Sequence, residues 1–442
     1  MDARIGGVMG SGAVVGLVSR GTGGVLVLLC AATAAGCLGS GEAGRGSGEA
    51  CLSFGGSRPA GGRPAAVALL GEVEAKSGLL RRVNRLLRVS IPGGAVELER
   101  SLGPAAGHRV FDRPGMLGLD RQLLVTAPDG RTVLALMRNP VSGRGSVLVI
   151  DAQSFQTRCR HPLEPGVRYS GLLLGRSGMF YAYGAKRVRS SRWDAVLTIG
   201  DARTGELKGS HTLREAARGA SASTHWGKNW QVYSAALSAD ERRLVLSYHG
   251  GDTSGGDWFR VSPRFDISAG GMAERRCLDR PPRWPCGPGR TDVPRVHGAV
   301  AAVEGGFVAA TGRNDLLELD ARGDATGRLR VRENNGHLMD FAVHDDRRRV
   351  YVSACTGRPT IQRFDLARGR RATVPSGSVC GRPLAVYGDR FLFLAALRVD
   401  RSGYPTRRTE ELRLVDLEQR DAGQRVPRSA GPVDAVVVRL QR

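Results

Sequence analysis

Ile199-Gly200-Asp201-Ala202-Arg203-Thr204-Gly205 reads as the end of a β-strand running into a tight turn. The aspartate can accept backbone N–H groups across the turn, and the glycine supplies a positive φ that closes it. The same phrase recurs as Val149-Ile150-Asp151-Ala152, Arg264-Phe265-Asp266-Ile267, Glu318-Leu319-Asp320-Ala321, Arg363-Phe364-Asp365-Leu366 and Leu414-Val415-Asp416-Leu417. Its aspartates are spaced by 50, 65, 54, 45 and 51 residues. Glycine stands four positions after the aspartate in three copies, as Gly205, Gly270 and Gly369.

A second phrase precedes most copies by about one hairpin. It is a turn with Asp or Gly and often Arg, then alternating apolar residues: Asp129-Gly130-Arg131 before Val133–Leu136, Asp240–Arg243 before Leu244-Val245-Leu246, Asp345-Asp346-Arg347 before Val350-Tyr351-Val352, and Asp389-Arg390 before Phe391-Leu392-Phe393. Looser versions lie around Gly175–Tyr181 and Gly305–Ala309. Two hairpins per unit at this period predict an all-β fold, a β-propeller of four-stranded blades. Six units are clear. A seventh is expected from residues 60–105, joined by the C-terminal strand Val433–Leu440, since pairing the chain ends removes an exposed sheet edge. Within it, Leu79, Leu80, Val83, Leu86 and Leu87 recur at helical spacing, so a short amphipathic helix competes. The repeat resembles the YVTN/WD40-like propeller superfamily, in which an aliphatic-Asp turn near Thr-Gly closes the third strand of each blade. Asp201–Gly205 matches that phrase well, and the resemblance, over residues 60–442, implies a fold and not an activity.

The N-terminus reads as an address. Arg20 precedes the apolar run Val25–Ala32, followed by the small residues Thr33-Ala34-Ala35-Gly36-Cys37. This is the pattern of a secretory signal, and the run is too short for a bilayer, which needs about 20 apolar residues. The leader before the run is long, and Met9 is a rival start to Met1. Ala34-Ala35-Gly36-Cys37 resembles the lipobox of bacterial lipoproteins, with Ala34 where that motif usually has Leu; it implies a lipid on Cys37. The rival is cleavage at Ala32-Thr33-Ala34, releasing a soluble secreted protein; an uncleaved anchor is a third reading. The expected organisation is a signal over 1–36, a Gly/Ser-rich tether over 37–58 and the propeller over 59–442.

Cysteine parity bears on the same question. Of the eight cysteines, Cys30 leaves with the signal and a lipidated Cys37 is spent, leaving six for three disulfides outside the cytoplasm. Sequence proximity favours Cys277–Cys286 and Cys355–Cys380, and Cys51–Cys159 then follows by elimination. No C-x-x-C pair supports zinc.

The net charge is +23, yet only four of the 65 basic residues are lysine (Lys76, Lys186, Lys208 and Lys228) and the arginines are scattered. A generally solvated basic surface is the simpler reading, with binding of anionic lipid or a teichoic-type polymer as the functional one. Export removes nucleic acid from consideration.

Two loops of the fourth unit are candidate ligand sites. One carries His225, Trp226 and Trp230; the other carries His249, Asp252, Asp257 and Trp258. Trp, His and Asp on a rigid scaffold can stack on a sugar or aromatic ring and bond its rim, whereas the plainer reading has the tryptophans packing over a blade edge. A calcium loop around Asp252 and Asp257 lacks the alternating acidic order. His297 and His337 are candidates for the axial opening, with a structural role as the alternative. No catalytic motif, cofactor or metal site is assigned. The leading expectation is a monomeric binding or scaffold module facing outside the cell, for a protein, a glycan or a wall polymer. The alternative is a propeller enzyme, a lactonase-like hydrolase or quinoprotein-type dehydrogenase. It requires carboxylates or histidines converging at the channel mouth, and an arginine-lined or apolar channel counts against it.

Overall fold

The computed structural model describes Cys51 and residues 65–439 apart from 77–78, 103–122, 128, 139–143, 190–191, 213–228, 252–257, 262, 269–270, 278–295, 312–314, 322–324, 332–337, 345, 356–358, 375–378, 400–404, 420–422 and 428–433. Every regular element among them is a strand. Blade 1 is β1 (Ala65–Lys76), β2 (Leu79–Ser90) and β3 (Val96–Ser101), with β29 (Asp434–Arg439) paired to β1, so the two ends of the chain build one sheet. Blade 2 is β4 (Leu124–Thr126), β5 (Thr132–Arg138), β6 (Gly145–Asp151) and β7 (Thr157–Pro162). Blade 3 is β8 (Val167–Leu174), β9 (Met179–Arg189), β10 (Arg192–Asp201) and β11 (Leu207–Thr212).

A nine-stranded sheet joins blade 3 to the next unit through one parallel pairing, Trp193 with Asn229. That unit, blade 4, is β12 (Asn229–Leu237), β13 (Arg243–Gly251), a third strand interrupted into β14 (Trp258–Val261) and β15 (Pro263–Ser268), and β16 (Gly271–Cys277). Both β14 and β15 pair with β13, at its two halves. Blade 5 is β17 (Val296–Val303), β18 (Gly306–Thr311), β19 (Asp315–Asp320) and β20 (Ala325–Arg330); blade 6 is β21 (Leu338–Val343), β22 (Arg349–Ala354), β23 (Thr360–Asp365) and β24 (Arg370–Val374). Blade 7 is β25 (Gly381–Tyr387), β26 (Phe391–Val399), β27 (Pro405–Asp416) and β28 (Gln424–Arg425).

The first strands touch in a circuit, β4 with β8, then β12, β17, β21, β25, β29 and back to β4. The fold is a β-propeller. Six sheets carry it, and division of the largest at the Trp193–Asn229 link gives seven blade-sized units around one axis.

Blades pack face to face, so their strands are buried on both sides. In β6, Val147, Leu148, Val149 and Ile150 are all buried, the continuous apolar run of a strand covered on both faces. The apolar clusters accordingly bridge blades: Ala236, Val245, Phe307 and Leu319 join blades 4 and 5, and Val308, Phe341, Val350 and Phe364 join blades 5 and 6. This explains the correction at Leu79–Ser90, where a helix competed. The segment is a strand, paired with β1 along its length and with β3 over Arg85–Val89. The consecutive Leu86 and Leu87 are both buried, in different apolar clusters, which breaks the alternation expected of a strand, and the neighbouring Arg85 and Arg88 pair with Glu99 and Glu97 on β3.

The aspartate turns are built as their chemistry dictates. The Asp201 carboxylate accepts from the Arg203 backbone at 2.8 Å, Asp151 from Gln153 and Ser154 at 2.9 Å, and Asp416 from Glu418 at 3.0 Å. In three copies the residue after the aspartate is an anchor. Ala152, Ala202 and Leu417 are buried and donate their N–H to the neighbouring hairpin turn, at Arg131, Gly178 and Arg390. Two disulfides are present, Cys51–Cys159 and Cys355–Cys380. Cys51, which also donates its N–H to the Arg203 carbonyl at 3.2 Å, pins the start of the described chain to blades 2 and 3. Cys277 closes β16, while Cys286 lies outside the described residues.

Candidate functional site

Strand direction gives the ring two unlike ends. At one end lie the short turns: the Asp turns and the hairpins 127–131, 175–178, 238–242, 304–305, 344–348 and 388–390. At the other lie the strand ends from which the chain passes between blades, among them Ser101, Thr212 and Cys277, and the facing ends of β13 and β14 at Gly251 and Trp258. Loops on a rigid frame are where binding chemistry concentrates.

Of the predicted ligand residues, Trp230, His249 and Trp258 lie at the loop end of their strands. His225, Trp226, Asp252 and Asp257 lie outside the described residues, as does His337. Trp230, His249 and Trp258 are on described strands. The backbone of Trp230 pairs with Gly250 and that of Trp258 with Gly251, so both loops of the fourth unit spring from one strand end. His297 begins β17 at the same end of the ring. Residues 1–50, with the signal and Cys37, lie outside the described residues. The Cys355–Cys380 bond, buried beside Leu397, ties two connections of the loop end together.

The turn end carries a belt of polar clasps that single-sequence reading did not find. His161 on β7 reaches the next blade, its Nε2 hydrogen-bonded to the Ala202 carbonyl at 2.9 Å. Burial lowers its pKa, against the opposing pull of that carbonyl and of Asp201. Glu241 of blade 4 accepts from the Ser177 backbone of blade 3 at 3.0 Å and from its hydroxyl. Glu304 of blade 5 pairs with Arg348 of blade 6, and Arg349 of blade 6 with Asp389 of blade 7. His344 Nε2 meets the Gly388 carbonyl at 3.0 Å. Burial would raise the pKa of Asp346, but bonds from the Arg348 backbone and from Arg349 and His344 outweigh it and hold the group at about 2.

Inside this belt sits a different arrangement. Arg347 (blade 6) is half-buried, and the charge acting on it is that of Arg176 (blade 3). Both burial and Arg176 lower its pKa. Among the described residues no group of three or more His, Cys, Asp or Glu is placed to hold a metal ion.

No family profile and no curated protein sequence matches the chain. In structure it is similar to a puromycin hydrolase (TM-score 0.52, 18% identity, covering 85% of this chain and 55% of that one). It is also similar to an acylaminoacyl peptidase in complex with Z-Gly-Gly-Phe-chloromethyl ketone (0.51, 10%, 83% and 53%). A third likeness is to the periplasmic gluconolactonase of Pseudomonas aeruginosa (0.50, 15%, 85% and 100%). The chain thus spans just over half the length of the first two and all of the third. At these identities the likeness is one of fold.

Proposed function

We propose that the protein is an exported propeller that binds a glycan or wall polymer on its loop end and acts there without catalysis. The observation that carries this reading is the asymmetry of the ring. One end carries short, mutually clasped turns, while the strand ends of blade 4 that bear Trp230 and Trp258 lie together at the other. In this reading the N-terminal segment is a signal, Cys37 carries the lipid and the tether holds the domain outside the membrane. In this reading the repeat is of the YVTN/WD40-like kind, supported by the turn phrase Asp201–Gly205.

A hydrolase is the second reading, favoured by the gluconolactonase likeness, which extends over that protein's whole length. Co-sedimentation with purified sacculi, compared between wild type and W230A and W258A, tests the binding reading. Wild type is expected in the pellet, with at least tenfold weaker binding in the variants. Turnover of gluconolactone by wild-type protein, with no sacculus binding, replaces the first reading by the second. Intact mass of the native protein tests the anchor: a diacylglyceryl-Cys37 start supports it, and an unmodified start at Ala35 overturns it.

A further inference from the structure

We propose that the loop end of the joined sheet of blades 3 and 4 holds an extended, β-linked glycan chain along the row from Trp193 to Trp258. The proposal rests on the loop-end binding reading and names the ligand class and the sheet face that takes it.

Four strands come into register in this row. Trp193 on β10 pairs with Asn229 on β12, Asn229 pairs with Gly251 on β13, and Gly251 pairs with Trp258 on β14. Directly paired residues share a face of a sheet, so all four belong to one face. Three strand spacings, about 14 Å, separate the two tryptophans along the row. The next row of that face, about 7 Å further along the strands, is Gln231, His249 and Arg260. Trp230 pairs with Gly250, one position on from Asn229, and so belongs to the opposite face. Trp193 comes from blade 3, far in sequence from the tryptophan-bearing loops of blade 4. The parallel link between β10 and β12 is what brings it into the row.

The composition of this face fits a sugar chain. Aromatic residues at both ends of the row suit the apolar faces of pyranose rings, whose hydroxyl rims need donors and acceptors. The amides of Asn229 and Gln231, the imidazole of His249 and the guanidinium of Arg260 are groups of that kind. Gly251 stands between the tryptophans without a side chain, and a glycine inside a strand marks a place where a ligand comes close to the backbone. The row is longer than one pyranose ring, which points to a chain. A β-linked chain is extended and presents its ring faces along a line, whereas a coiled α-linked chain does not.

The test is titration calorimetry of the full-length mature protein with N-acetylglucosamine and with its β-1,4-linked hexamer. Wild type is expected to bind the hexamer saturably and the monosaccharide at least tenfold more weakly. W193A and W258A should each lose at least tenfold for the hexamer, while W230A, changed on the opposite face, stays within twofold. The wall glycan of a sacculus extends around the strand end to both faces, which a short soluble chain does not. G251V is the second variant. A β-branched residue suits the strand but fills the middle of the row, so hexamer binding should be lost while the urea midpoint is kept. Hexamer binding that W193A and G251V leave intact, that W230A loses equally, or that the monosaccharide matches, overturns the proposal. Wild type that pellets with sacculi yet binds no hexamer also overturns it and leaves the broader reading standing. Wild type that does neither overturns both.

Discussion

Leu86 and Leu87 are consecutive in the chain, both fully buried, and belong to different cores. Leu86 packs with Leu134, Val149 and the rest of the cluster spanning blades 1 to 3, while Leu87 packs with Phe393, Leu412 and Leu414 of blade 7. The strand they occupy is the joint between the first and last repeats. L86A and L87A are each expected to destabilise by about 2–5 kcal/mol. Because the cavities open in separate clusters, the double variant should lose the sum to within about 0.5 kcal/mol. Urea unfolding of the three variants checks this, and strong non-additivity would mean that the two cores are one.

Gly205 and Gly369 occupy the same place in their Asp turns, with φ of 75° and 59°, but differ in surroundings. A Cβ on Gly205 would stand 2.2 Å from His161 Nδ1, whereas one on Gly369 would meet nothing within 4 Å. G369A should therefore cost only the conformational penalty, about 1–2 kcal/mol. G205A should cost clearly more, since it also displaces the His161 clasp. Equal losses in chemical denaturation would rule out the steric part.

The His161 clasp also predicts a pH response. Burial holds its folded-state pKa below the ordinary 6.5, so the unfolded chain binds the proton more readily. The contribution is fully present above pH 6.5 and is lost as pH falls from there through the depressed folded value. Denaturation midpoints between pH 5 and 8 should fall on the acid side in wild type, and H161Q should flatten that slope. An unchanged slope in H161Q would remove His161 as its source.

The two described disulfides should differ in resistance to reduction. Cys355 and Cys380 are buried with Leu397, whereas Cys51 and Cys159 are partly exposed. Under dithiothreitol with alkylation and mass spectrometry, Cys51 and Cys159 should be labelled first, at denaturant concentrations where Cys355 and Cys380 stay protected. The reverse order would indicate that the blade 6–7 end of the ring opens before the N-terminal attachment does.

Much of the architecture was legible because propeller turns are local. Asp201 and Gly205 fix their turn through bonds within five residues, and the same chemistry recurs at Asp151, Asp365 and Asp416. The pairing of Val436 with Leu69 was anticipated by the need to close an edge. The strand at Leu79–Ser90 was ambiguous because burial on two faces erases the alternation that separates strand from helix. The turn-end clasps were invisible for another reason. Nothing near His161 in sequence points to Ala202, and nothing near Glu241 points to Ser177.

The sequence by itself determined the repeat, its turn chemistry and six of its units, since each depends on hydrogen bonds and apolar patterning inside a single hairpin. Only the tertiary structure decided that Glu241 grips Ser177 and that Leu86 and Leu87 part company. Those relationships exist only once the blades close around an axis and bring turns from distant repeats to one end. Closure is a summed property of every blade's twist and packing, and no local stretch of chain encodes it.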